Sequence, residues 1–302
     1  MKVALVIPYF GKFPVWFDLY LYSCSKNPQV DFLFFTDCGF PERKYDNTKF
    51  YRTDFKSYCK RVSECLKIKF QPKDPYKLCD LKPFYGVIHK EELEGYDFWG
   101  FGDMDLIYGD LGIIVNEKNL KMYDVITALS DRVAGHFTIV RKDSNYTDLC
   151  KKIPNFKERL ESQNNYVVDE VDWCKKVYPQ LKNVGRVFRH IIEPLNLITR
   201  ERWFNQCGRI FCNRLTKRKF WDYRTTPKPG KCDEWRYDID RGVVIEPGGS
   251  SIPYLHFFFF RDNRWEKPEF YWQGEYYDVS TEELVNGKRN VIIDIRGIKM
   301  LE

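Results

Sequence analysis

Apolar residues gather in short runs near the start of the chain, separated by polar or turn-forming segments. Residues 2–9, KVALVIPY, form one such run closed at a proline, which predicts a buried strand. Residues 16–24, WFDLYLYSC, carry apolar side chains at helical spacing and are stopped by Asn27-Pro28. Residues 30–36, VDFLFFT, predict a second strand ending at Asp37. Strand, helix and strand within forty residues open a parallel α/β sheet. Helical segments follow at 55–70 and 77–93, the latter opened near Pro83. Strands are then predicted at 97–102, 124–129 and 136–141. Beyond about residue 143 the pattern is less regular, with turn-rich KPGK and EPGGSS segments and no internal repeat. The expectation is one α/β unit, residues 1–142 forming its ligand-binding half and 143–302 an extension packed on the same core.

Composition narrows the class. Hydrophobic residues are 43% of the 302 and charged residues 30%, so a packed core is expected and general disorder is not. The aromatic share of 17% adds stacking surfaces of the kind that sugars and bases use. None of the ten cysteines forms a CxxC pair, and no leader precedes the first strand, so reduced thiols and a cytoplasmic protein are expected. The longest apolar run, residues 252–260, is interrupted by His256 and too short to span a bilayer. Membrane contact would therefore be peripheral. The net charge of +6 is concentrated between 200 and 231, where ten basic residues face only Glu201 and Asp222. That stretch is either a solvated face or a patch for phosphates or an anionic membrane.

The chemistry points elsewhere, to YDFWGFGDMDLIYGDL at 96–111. An aromatic run delivers two carboxylates, Asp103 and Asp105, to the C-terminal end of a strand, where ligands of open α/β sheets gather. Two carboxylates one residue apart can face one cation. Mg²⁺ and Mn²⁺ favour oxygen ligands and keep positions open for substrate phosphates. D-x-D alone is a common pattern, and its position in a βαβ context gives it weight.

With VALVIPYFGKFPVWFDLYLYSC, VDFLFFTD and YKLCDLKPFYG beside it, this segment resembles the nucleotide-sugar-binding half of GT-A-fold glycosyltransferases, the bacterial capsular or surface-polysaccharide type in particular. The resemblance covers roughly residues 1–142. It implies a Rossmann-like, mostly parallel sheet flanked by helices, with a C-terminal acceptor-side extension. It further implies a UDP-sugar donor, Mn²⁺ or Mg²⁺ on Asp103 and Asp105 with Asp105 the direct ligand, and a glycan or lipid-diphosphate-linked acceptor. Pro8, Tyr9, Phe10 and Asp37 would contact the nucleoside, with Lys77, Asp80 and Lys82 near the donor. Gly135 and His136 would line the pocket, and a late histidine, His256, would complete the metal site.

Several of these residues have a plainer role open to them. Asp37 could be a turn cap, Lys77 and Lys82 solvated charges, and His256 a hydrogen-bonded core histidine. If the anomeric centre inverts, the outcome favoured here, a carboxylate must take the acceptor's proton. Asp169 and Glu170 in NNYVVDEVDW are the candidates, with first-turn helix residues as the plainer role. Two other classes share parts of this pattern. A haloacid-dehalogenase-type phosphatase would carry its D-x-D on the first strand, which this chain does not. A single-strand nucleic-acid binder could use Trp203, Phe204, Phe211, Phe220 and Trp221 among the basic residues, but carboxylates at the sheet mouth repel a phosphate backbone. No nucleic-acid partner is expected.

Overall fold

The structure is a computed structural model that describes residues 1–129, 133–177, 218–220, 225–226, 233–258, 276–280, 282, 284 and 290–301. Its centre is a seven-stranded sheet. The strands are β1 (Val3–Tyr9), β2 (Val30–Thr36), β3 (Thr48–Arg52) and β4 (Phe98–Gly102), then β6 (Val125–Thr127), β7 (Phe137–Arg141) and β8 (Arg218–Phe220), with β5 (Leu106–Tyr108) outside it. The spatial order is β3-β2-β1-β4-β7-β6-β8. Only β7 runs against the others. The class is therefore α/β, with a mixed sheet of mostly parallel strands flanked by helices, as the apolar runs predicted.

The reason is visible in β1. Val3, Leu5 and Ile7 point into one core while Ala4 and Val6 point into the other. A strand covered on both faces must be apolar at every position, and so it reads as a run rather than an alternation. Helix α1 (Phe17–Ser25) covers the first face and α2 (Phe55–Leu66) the second. A 3-10 helix, Pro75–Phe84, and the short α3 (Tyr85–Ile88) extend that second layer.

The expected helix at 55–70 stops at Leu66, because Lys67 adopts φ 54° and returns its N–H to Ser63. Asp54 caps the other end by accepting from the backbone N–H of Ser57 at 2.8 Å. The expected helix at 77–93 is a tight 3-10 segment as far as Phe84 and then the single α-helical turn of α3, the change falling just after Pro83. Asp74 caps the 3-10 segment, and Pro83 removes a donor inside it.

A second sheet was not foreseen. It comprises β9 (Trp235–Asp238), β10 (Val243–Ile245), β11 (Ser251–Ile252), β13 (Tyr277–Asp278), β14 (Asn290–Asp294) and β15 (Gly297–Met300), in the order β11-β10-β9-β14-β15-β13. Trp235, Tyr237, Val291 and Ile293 share the core of α1, and the Tyr22 hydroxyl donates to the Ile239 carbonyl at 3.1 Å. Strand β12 (Tyr254–His256) pairs antiparallel with β5, setting His256 opposite Leu106. Among the described residues no helix is long and apolar enough to cross a membrane.

One polar device sits inside the α2 layer. His89, fully buried, shares a 2.8 Å hydrogen bond with the Tyr58 hydroxyl, and Arg61 grips Glu92 with two bonds of 2.6 and 2.5 Å. Burial, only partly offset by Glu92, pushes the His89 imidazole down to about 4. A histidine that titrates lower when folded than unfolded costs stability as pH falls, from about 6.5 down to its folded value, and costs nothing above that window. The shift corresponds to about 3 kcal/mol. Urea midpoints measured between pH 7 and 4 should fall more steeply for the wild type than for His89→Gln. Parallel slopes would exclude this account.

Candidate functional site

The crevice forms where the strand order reverses. From β1 the sheet continues through β2 and β3 on one side, whereas β4 lies on the other side. Loops leaving the carboxyl ends of β1 and β4 must therefore part, and ligands of such sheets bind in that gap. Pro8, Tyr9 and Phe10 come from β1 and its exit, and Asp103 and Asp105 from the exit of β4. They line one cleft of about 690 Å³.

The turn carrying the two aspartates is pinned at each residue. The Asp103 N–H donates to the His136 carbonyl at 3.1 Å, continuing the β4–β7 ladder. The buried Trp16 indole donates to the Met104 carbonyl at 2.7 Å. Asp105 accepts from the Phe257 N–H at 3.1 Å through its carbonyl. Residue 102 is glycine because a Cβ there would overlap the Tyr108 hydroxyl. Such fixing matters because a ligand carboxylate that can swing away loses affinity.

His256 reaches the same point from the far side through the β5–β12 pair. Its Nε2 lies 3.6 Å from Asp105 Oδ1, and its Nδ1 lies 3.3 Å from the Thr226 hydroxyl, which can orient the ring. One ligand atom each from Asp103, Asp105 and His256 falls within 4.8 Å of the others. Two carboxylate oxygens and an imidazole nitrogen at that spread suit a six-coordinate divalent ion with positions left for substrate oxygens. The imidazole makes Mn²⁺ the better match than Mg²⁺. The residues present thus fit the expected ion, and His256 also makes the hydrogen bond of its plainer role, to Thr226.

The opposite wall is acidic as well. Asp169 and Glu170 open a π-helical turn, Asp169–Trp173, of the irregular kind that often marks functional sites. Asp169 is buried. Burial first, then the neighbouring Glu170, raise its carboxyl to about 7 against the opposing pull of Lys82. Glu170 accepts from the Gly135 N–H at 3.0 Å. His136 stacks on His256 at 4.2 Å. Burial, followed by the charges of His256 and Lys82, holds its ring well below the usual imidazole range, so it is neutral. Its Nε2 has no hydrogen-bond partner among the described residues.

Lys82 stands between the walls. Its ammonium lies 2.5 Å from Asp103 Oδ1 and 3.9 Å from Asp169 Oδ2, and donates to the Gly135 carbonyl at 2.8 Å. Burial opposes the charge, but Asp103 above all, with Asp169, outweighs it and keeps the lysine ionised.

Three expected site residues lie elsewhere. Asp37 is exposed and does not line the cleft. Its carboxylate accepts from the Gly11 N–H at 2.7 Å, which makes it a cap for the turn after β1, where Gly11 has φ 99°. Lys77 and Asp80 also miss the cleft, being only 2% and 0% exposed and paired at 2.8 Å. Nor are Lys77 and Lys82 solvated, since both are buried. Sequence reasoning missed Trp16, Asp74, Tyr76, Asn165 and Phe258, which also line the cleft. Of these only Trp16 had a signal, standing at the start of a predicted helix beside the β1 exit. The basic stretch 200–231 lies outside the described residues apart from 218–220 and 225–226.

Residues 5–193 match DUF6625, a family of unknown function. The chain belongs to that family. No curated protein matches it. The DUF6625 span contains both aspartates of the turn, Lys82, His136 and the acidic π-turn, whereas His256 lies beyond it.

Gly135 offers a direct test of how tightly the two walls meet. A Cβ there would sit 2.6 Å from Asp169 Oδ2 and 2.8 Å from Glu170 Oε1. Gly135→Ala should displace both carboxylates and lower stability by about 1–3 kcal/mol in urea titration. An unchanged midpoint would mean that the walls are slack.

Proposed function

We propose that this DUF6625 protein is a metal-dependent glycosyltransferase that moves a sugar from a nucleoside-diphosphate sugar, UDP-linked by preference, to a hydroxyl of a glycan or lipid-linked oligosaccharide in surface-polysaccharide synthesis. The observation that carries this reading is the meeting of Asp103, Asp105 and His256 at the switch point of the sheet, with a third carboxylate, Asp169, facing them across one cleft. The strand order and the placement of Pro8, Tyr9 and Phe10 beside the acid pair support it further.

When bound, a divalent ion would neutralise the diphosphate and ease its departure. The chain's own groups divide the remaining work. Tyr9 and Phe10 offer aromatic surface at the β1 exit, suited to a nucleoside base. Lys82 holds Asp103 in place and ties it to the Gly135 carbonyl. Asp169 is suited to take the acceptor's proton, because a carboxyl near 7 is half ionised at working pH and basic enough to receive it. Glu170, engaged by the Gly135 N–H, anchors the turn and leaves the base role to Asp169. A base on the wall opposite the donor corresponds to inversion at the anomeric carbon.

Calorimetric titration of UDP with and without Mn²⁺ tests the donor site. The wild type should bind only with the metal, and Asp105→Ala and His256→Ala should each lose at least about tenfold in affinity, or about 1.4 kcal/mol. Binding indifferent to both metal and Asp105 would end this reading. The pH profile tests the base. Transfer should fall as pH drops below about 7, where Asp169 takes up a proton that burial, then Glu170 and Asp103, favour against the opposing charge of Lys82. Asp169→Asn should lower the rate by at least about 100-fold and remove that limb. An unchanged limb in the variant would assign the proton elsewhere.

A further inference from the structure

The acidic π-turn is reached through a strained peptide. Val167 has φ 52°, a left-handed conformation that a β-branched residue avoids. Such a conformation persists only where the surroundings over-determine it. Here the surroundings are a carboxylate. Asp80 Oδ1 accepts from the N–H groups of Tyr166 at 3.2 Å and Val168 at 3.1 Å, one on each side of Val167, and Oδ2 accepts from Tyr166 at 3.0 Å. The Val167 N–H turns to Asn165 Oδ1 at 2.8 Å.

Lys77, one 3-10 turn before Asp80, completes the arrangement. Its ammonium donates to Asp80 Oδ2, to the Arg159 carbonyl at 2.7 Å and to the Asn164 carbonyl. It also lies 5.1 Å from the centre of the Tyr166 ring. The far side of the turn is tied by Arg159 to Asp172. A buried ion pair contributes little net stability compared with an apolar pair of equal volume, so its place here calls for another account.

We propose that Lys77 and Asp80 are positioning residues that clamp the Tyr166–Val168 backbone in its left-handed form and thereby aim Asp169 into the cleft, an inference that rests on Asp169 being the base. The same 3-10 helix carries Lys82 on its cleft side. One short element thus holds both carboxylate walls, Asp103 from the front and the acidic turn from behind.

The test separates clamping from stability and from the function itself. In the wild type, exchange of the Tyr166 and Val168 amides should be slowed by at least about 100-fold relative to an unstructured chain. In the charge-free pair Lys77→Met with Asp80→Leu, which preserves apolar packing, both amides should lose that protection while the melting temperature stays close to that of the wild type. UDP–Mn²⁺ affinity and donor KM should be retained, and kcat should fall by about tenfold or more. Adding Val167→Gly, which takes a positive φ freely, should return part of the rate. Should the pair fail to fold, Asp80→Asn serves: it keeps the shape, weakens the Lys77 bond and should expose the Tyr166 amide first. Amides that remain protected without Asp80, or a loss confined to donor KM, would overturn the clamp. A wild type that binds no UDP–Mn²⁺ would instead remove the glycosyltransferase reading, with the exchange result still standing on its own.

Discussion

Five carboxylates, Asp74, Asp103, Asp105, Asp169 and Glu170, line a cleft whose only described ammonium or guanidinium is that of Lys82. Like charges gathered in a partly dry space repel one another, and the arrangement holds only if something positive is fixed among them. Lys82 meets that need with a charge that cannot diffuse away. It bonds Asp103, approaches Asp169 and spans to the Gly135 carbonyl, so the β4 exit, the β7 entry and the π-turn are tied to one atom. The remaining negative charge would favour a divalent ion there and disfavour a bare diphosphate.

How much of this could be read from the chain depended on how local the cause was. β1, β2 and β4 were legible because strands buried on both faces need continuous apolar residues, and α1 because its apolar spacing is helical. β3, with the sequence TKFYR, was not: it is the edge strand, partly exposed, and its residues alternate too weakly to stand out. The second sheet was missed because its strands are only two to five residues long, and its hairpins are joined through β9 and β14, which lie far apart in the chain.

The site divides in the same way. Asp103 and Asp105 were found because a strand delivers them, and His256 because a histidine alone in an apolar segment stands out. That His256 lies against Asp105 depends on the register of β12 with β5, which no local pattern records. Lys77, Asp80 and Asp37 carried the right residue types but were assigned to the donor. Their spacing could not show that the first two turn inward under the acidic loop, or that the third caps a glycine turn. Asp169 and Glu170 were named as a pair, and the burial of the first and the Gly135 contact of the second distinguish them.

The β5–β12 ribbon has a consequence for how the protein matures. Two of the three candidate ligands are made early and the third about 150 residues later. An emerging chain can assemble β1 to β7 and both aspartates before His256 exists, so a cation captured at that stage would be held by fewer ligands and released readily. Full retention of an ion would come only after the C-terminal ribbon has closed against β5, a contact of high sequence separation. Metal binding to the finished molecule would then act as a clasp across that late contact, adding stability to the closed chain that the open one does not share. The ion would report completion of synthesis as well as readiness for chemistry.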